Sequence, residues 1–511
     1  MSRHTRALGI VFVLAWLAGG CAARSREAAL VADLAERLRL AHAAADRGCY
    51  TCLREAFDLA TAVEQASPRF ADARHLVFTT TVLLALRERE LGLVGRGDLQ
   101  HARTLAAGPA EALTLEAAES VPQADQGPFR ERWDDIRSGR ERTAQRLATW
   151  RASLGTGDVT ARYALLSVEC AFPDVSGLSR EQLPPEAPGE PPALVWRRAT
   201  CLGRDLDALQ ALVVREPAFA EASYLLGVQS LMLGRLVEAE TRVSAALSAI
   251  PGWPGAAITL GNIRLALERF AASREAFDAA LALVPEHPTA RLGKLQAFSY
   301  EGAHGEALAV ADAMIARGTW LVGDAHYWRA WNLARLERFD EAEASITEAK
   351  RLLVNAAVFK LAGVIAFRRG RLDAARGELT AARERAPDDC EVPGYEGYVE
   401  SAAQKWEQAG MAFATAATCR AREAADAASR LARLSGDTSS EPASIERCRR
   451  DIVTAREELG AAHFRAANAL AAAGRLDDAR AHAAAALEHP EWADKARALL
   501  ATLDRRPLPE P

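Results

Sequence analysis

An all-α fold built from stacked helical hairpins is predicted by three features of this chain. The first is a repeat: Gly227 and Gly261 are 34 residues apart, and so are Pro251 and Pro285. A fixed period of that size marks stacked units, none of which can bury its apolar face alone. The second is the placement of small residues and prolines. Gly227 and Ala239, then Gly261 and Ala280, fall where two helices approach closely, and Pro251 and Pro285 follow the second helix and stop it. The third is composition. Apolar residues make up 50% of the 511, much of it alanine, while aromatics make up only 6%; alanine is the best helix former.

Each period holds two apolar-periodic segments of about 14 residues, joined by a break such as Leu233-Gly234-Arg235-Leu236. Gly234 suits the left-handed turn that ends a helix. The pattern of Gly227, Ala239, Val243, Ala246 and Pro251 then recurs. Gly261, Ser273, Phe277, Ala280 and Pro285 repeat it with serine for the first alanine. Gly363, Ala375, Leu379, Ala382 and Pro387 match in full; Gly397, Ala409, Phe413 and Ala416 match without the proline. Ala330, Ala342, Ile346 and Ala349 are looser, and Leu295, Ala307, Ala311 and Met314 are degenerate. Ala467, Ala479, Ala483 and Ala486 form a last, alanine-heavy unit.

This pattern resembles the tetratricopeptide repeat (TPR), well over Glu216 to Arg420 and more loosely over Glu457 to Leu503. The resemblance implies a TPR-type solenoid, a right-handed superhelix whose first helices line a concave face. Placing the in-phase positions on that face gives a partner-binding groove of Tyr224, Asn262, Tyr327, Trp331, Lys360, Phe367 and Tyr398, with Val228 and Ile258 beside them. Aromatics with a few polar groups suit an extended peptide or a partner helix. The plain alternative is that several of them pack between hairpins. The family's clamp for a peptide C-terminal carboxylate needs asparagine four residues after lysine; Val364 follows Lys360 there, so the clamp is not reproduced.

The chain opens with a targeting segment. Arg3 and Arg6 precede an apolar run from Ala7 to Gly20 that is too short to span a bilayer. Leu17-Ala18-Gly19-Gly20-Cys21 resembles a bacterial lipobox, which implies acylation of Cys21. Ala22, rather than aspartate, follows it; by resemblance this implies an outer-membrane lipoprotein facing the periplasm. Residues 1–20 are thus read as the signal peptide and 21–170 as a divergent, TPR-like helical region. Residues 171–193 carry a cluster of prolines and are read as a loop or linker. The array occupies 194–420, a further helical region 421–505, and a disordered tail 506–511. A separate helix is expected from Ser444 to Leu459.

Seven cysteines remain after Cys21. Cys170 and Cys201 flank the proline-rich segment, and a bridge there would close its base. Cys390 and Cys419 sit at ends of one hairpin that antiparallel helices bring together; Cys448 is an alternative partner for Cys419. Cys49 and Cys52 form a Cys-x-x-Cys pair without surrounding strands, which favours a structural pair or disulfide over redox chemistry.

No catalytic, metal-binding, phosphate-binding or dinucleotide motif stands out, so no enzyme activity and no cofactor are expected. His287 and His489, each beside a proline, are expected as polar residues closing a helix. A net charge of −5 and the lack of a basic block argue against nucleic acid. The expected function is a membrane-anchored protein-binding scaffold in the bacterial cell envelope. The resemblance implies roles of the envelope-assembly, secretion, pilus or polysaccharide-export type. A second reading is a carbohydrate- or small-ligand-binding lipoprotein that stacks sugars on Trp328 and Trp331.

Overall fold

The computed structural model describes residues 27–67, 70–93, 99–122, 129–179, 189–436 and 442–504. The signal peptide, Cys21, the tail 506–511 and the middle of the proline-rich segment lie outside the described residues. Among the described residues every regular element is a helix. In order these are α1 (27–47), α2 (Tyr50–Ala66), α3 (Ala71–Leu91), α4 (Leu99–Leu105), α5 (Pro109–Ser120), α6 (Phe129–Leu154), α7 (Val159–Ala171), α8 (Pro173–Ser176), α9 (Pro192–Thr200) and α10 (Leu206–Arg215). The hairpins follow: α11 (Ala220–Met232), α12 (Leu236–Ala249), α13 (Pro254–Ala266), α14 (Phe270–Leu283), α15 (Pro288–Glu301), α16 (His304–Arg317), α17 (Val322–Arg335), α18 (Phe339–Leu352), α19 (Ala356–Arg368) and α20 (Leu372–Arg385). The chain ends with α21 (Glu391–Ala402), α22 (Trp406–Gly436), α23 (Pro442–Ala472), α24 (Leu476–Ala486) and α25 (Pro490–Asp504). None of the described helices is long and apolar enough to cross a membrane.

The chain forms two compact units. One is Met1–Gln229 with Thr241–Ala256; the other is Ser230–Glu240 with Ala257–Pro511. The division falls inside the expected 194–420 array rather than at its edge.

The first unit is held by an apolar core threaded with a buried polar cluster. Arg87 is almost wholly buried. It donates to Glu221 at 2.5 Å and to the Tyr163 hydroxyl at 3.1 Å, and its guanidinium lies 4.8 Å from the Trp196 ring centre. Glu90 accepts from Tyr163 at 2.6 Å, Ser167 at 3.0 Å and Trp196 at 3.4 Å, and pairs with Arg197 at 3.1 Å. Buried charges of this kind persist only when paired and hydrogen-bonded on several sides. Two disulfides belong to this unit. Cys49, the cap of α2, is bonded to Cys52 in its first turn, and both are buried. Cys170 of α7 is bonded to Cys201 at the end of α9, across the proline-rich segment.

The second unit is an array of TPR-type hairpins. Pro288, Val322 and Ala356, which open α15, α17 and α19, are each 34 residues apart. One packing contact recurs with that period. A Cβ added to Gly261 would lie 2.6 Å from the Phe277 ring, one on Gly363 would lie 2.7 Å from Leu379, and one on Gly397 would lie 2.5 Å from Phe413. Each large side chain sits sixteen residues after its glycine, and each is buried. The glycine notch in the first helix therefore admits the side chain of the second. Phe277 also fills the space beside Gly293 of the next hairpin.

The turn between paired helices is equally regular. Gly234, Glu268, Gly302, Glu337, Gly370, Gln404 and Gly474 all have positive φ at the same repeat position. Glu268 N–H donates to Leu265 C=O at 3.0 Å and Arg269 N–H to Arg264 C=O at 2.8 Å. The same two bonds recur at Glu337 and Arg338, and at Gln404 and Lys405. This is the Schellman end, which satisfies the last carbonyls of the helix.

The C-terminal part departs from the expected boundaries. α22 and α23 are 31-residue helices that pair along their length. Ala421 stands where Pro251, Pro285 and Pro387 follow the second helix of their units, so no proline stops α22 at residue 420. The helix expected from Ser444 to Leu459 is instead one piece with the first helix of the last repeat. Near the tip of this long hairpin, Ser444 donates to Gly234 C=O at 2.9 Å and Arg447 to Ala266 C=O at 2.9 Å, both within the second unit. Cys390 and Cys419 are disulfide-bonded, and Cys448 is a buried free thiol.

The turn position carries a stability prediction. Glutamate pays about 1–2 kcal/mol for the left-handed conformation that glycine adopts freely. Glu268→Gly is expected to raise the urea unfolding midpoint of the second unit, and Gly302→Ala to lower it. Shifts of the same sign for both would contradict the turn assignment.

Candidate functional site

Two clefts open on one face of the second unit. The first, about 450 Å³, is lined by Tyr327, Trp331, Arg335, Lys360, Val364 and Tyr395 among others. Most of these are the in-phase positions of α17, α19 and α21, so the 34-residue period itself puts them on one face. The second cleft, about 380 Å³, is lined by Tyr395, Tyr398, Phe413, Arg465 and Trp492 with several glutamates. Glu391 and Tyr395 line both, so the clefts adjoin.

The walls are ordered by aromatic contacts. Trp331 lies 6.4 Å from Tyr300, 5.8 Å from His304 and 5.7 Å from Trp328, with the Arg335 guanidinium 5.7 Å from its ring centre. Phe367 stacks on Tyr398 at 6.4 Å, and Arg465 lies 5.2 Å from the Tyr398 ring and 5.9 Å from that of Trp492. Edge and offset ring contacts of this kind fix orientation as well as bury area. Lys360 donates to Asp389 at 2.7 Å and to Glu391 at 2.6 Å. Burial works against its charge, but the two carboxylates prevail and hold its pKa above the usual lysine value.

The structure sorts the sequence-derived groove residues. Tyr327, Trp331 and Lys360 line the first cleft and Tyr398 the second. Phe367 backs Tyr398 rather than lining either cleft, and Asn262 is exposed on α13 away from both. Tyr224 is a correction: it belongs to the first unit, where it packs 4.2 Å from buried Trp253 against the apolar core. The in-phase position there is taken up by core packing. Trp328 is also buried, and packs edge-on to Tyr300, so Trp331 alone of the proposed sugar-stacking pair meets a cleft. Arg335, Tyr395, Arg465 and Trp492 were missed. A signal existed for the first: Arg335 and Arg368 both close the first helix of their hairpins, 33 residues apart.

Three histidines converge beside the last hairpin. His463 Nδ1 lies 2.9 Å from His482 Nδ1, and the His489 ring is 6.5 Å from that of His463. The His489 carbonyl accepts the first bonds of α25, so this residue starts a helix rather than closing one. Burial, reinforced by the other two rings, pushes the His463 pKa down to about 4. Among the described residues no group of three His, Cys, Asp or Glu side chains is placed to hold a metal ion.

No family model matches this sequence, and no curated protein matches it. Among solved structures it is similar to a thermophilic TPR protein of Thermus thermophilus, at 24% identity and a TM-score of 0.31, over 36% of this chain and 99% of that one. It is similar to PilW, a type IV pilus biogenesis factor, at 16% identity and 0.36, over 38% of this chain and 90% of that one. It is also similar to a chain of the Cut9–Hcn1 hetero-tetramer, at 11% identity and 0.39, over 93% and 97%. The recurring notch and turn described above, not these scores, identify the repeat.

The His463 shift sets a pH dependence. The unfolded chain takes up a proton near the ordinary pKa of 6.5, and the folded chain only near 4. Stability therefore falls as pH drops from about 6.5 to 4, by on the order of 1 kcal/mol after allowance for partial exposure. His463→Gln should lose less stability than the parent over that range in urea titrations; an identical loss would contradict the assignment.

Proposed function

We propose that this protein is a non-enzymatic scaffold of the bacterial cell envelope, tethered through an acylated Cys21. Its second unit holds an extended segment of a protein partner. The observation that carries the reading is the pair of adjoining clefts lined by successive first helices of the array. Their floor offers aromatic faces with polar groups at the edges, the arrangement that anchors a chain through a few buried side chains. The lipid supplies the location and the repeats supply the contact.

Two substitutions test the two halves separately. Cys21→Ala is expected to release the mature protein from membranes into the soluble fraction; unchanged attachment would contradict the tether. A photo-crosslinking residue at Val364, in the first cleft, is expected to give covalent protein adducts in cells. The same residue at exposed Gly377 of α20 should give none. Equal adducts at both positions, or none at Val364, would contradict the groove.

A further inference from the structure

We propose that the cleft between α17 and α21 selects a protein segment carrying a carboxylate side chain next to an aromatic or large apolar one, and that Arg335 receives the carboxylate. This rests on the groove reading above and adds the chemistry of the occupant.

The charges lining the cleft are not evenly partnered. Lys360 is engaged by two carboxylates, Asp389 and Glu391. Arg368 meets Glu337 at 3.3 Å and lies over the Phe339 ring. Arg335, among the described residues, makes a ring contact with Trp331 but has no carboxylate at ion-pair distance. Its charge still reaches across the cleft: burial raises the Tyr395 pKa, and Arg335 is one of two cations that oppose the rise.

The arrangement is polar from edge to edge. Arg335 and Arg368 are the last residues of α17 and α19, so one edge is made by helix C-termini bearing guanidinium groups. Glu391 opens α21, and with Asp389 it makes the opposite edge acidic around Lys360. Between the edges lie Tyr327, Trp331, Val364 and Leu361. A guanidinium lying on an aromatic face keeps its outward N–H groups free for a planar anion. Trp331 beneath it and Val364 beside it offer apolar surface to the neighbouring side chain. A cationic segment would instead face Arg335 unpaired, which is costly in a cleft partly shielded from water.

The test uses the full chain and fluorescein-labelled synthetic decapeptides followed by anisotropy at low salt. One alternates Asp and Phe, one alternates Lys and Phe, and one alternates Asp and Ala. The Asp–Phe peptide is expected to bind at least about tenfold more tightly than either of the others, because Lys–Phe lacks the charge-assisted contact and Asp–Ala lacks the buried aromatic one. Arg335→Glu should lower its affinity by about the same factor, whereas Arg351→Glu, on the exposed face of α18, should leave it unchanged. Lys–Phe binding as tight as Asp–Phe would overturn the carboxylate assignment while leaving the groove reading to the Val364 crosslink. Equal binding by the parent and Arg335→Glu would remove Arg335 from the role. Failure of the parent to bind Asp–Phe would overturn the proposal.

Discussion

Phe413 occupies the space that a Cβ on Gly397 would need, and the same relation joins Phe277 to Gly261 and Leu379 to Gly363. This contact sets how closely the two helices of a hairpin approach. It is specific because a close-packed interior leaves little room for even one added methyl group. The close approach turns the first helix of each unit so that its next exposed stripe faces the same side as that of its neighbours. Lys360 and Val364 of α19, and Tyr395 and Tyr398 of α21, reach the clefts for this reason. Where the notch is absent, as at Ala330, the second helix offers Ile346 and the unit still closes through smaller buried residues.

The turn and the proline position act at the two ends of that hairpin. A left-handed residue with its pair of backbone bonds ends the first helix at one repeat position, whether glycine, glutamate or glutamine occupies it. Proline follows the second helix at Pro251, Pro285 and Pro387; α16 stops at left-handed Gly318 and α18 at extended Leu353 without one, whereas α22 runs on past Ala421. The hairpin so formed brings Arg465 of α23 over Tyr398 of α21, and thereby supplies one wall of the second cleft.

Much of this was legible in the sequence, for a physical reason. Glycine, alanine and proline act locally at fixed offsets, so the period in Gly227, Gly261, Gly363 and Gly397 reads directly as helical hairpins. Trp331 and Lys360 follow from the same phase. The failures came where tertiary packing decides. Tyr224 is in phase but packs on Trp253 in the first unit, and Trp328 turns inward while Trp331 three residues later does not. Glu268, Glu337 and Gln404 carried no sign of a left-handed turn, because their side chains disfavour it and the surrounding bonds impose it. The buried Arg87, Glu221 and Glu90 network was unreadable for a related cause. Its members are 134 residues apart in the case of Arg87 and Glu221, and no local rule pairs them.

In this account the partner face depends on the notch contact, so the most direct measurement disturbs one notch and watches the face above it. Hydrogen exchange of Gly397→Ala and of the parent, read peptide by peptide, makes that comparison. Faster exchange is expected across α21 and the first half of α22, with α2 to α7 in the other unit unchanged. Unaltered protection of α21 in the variant would contradict it.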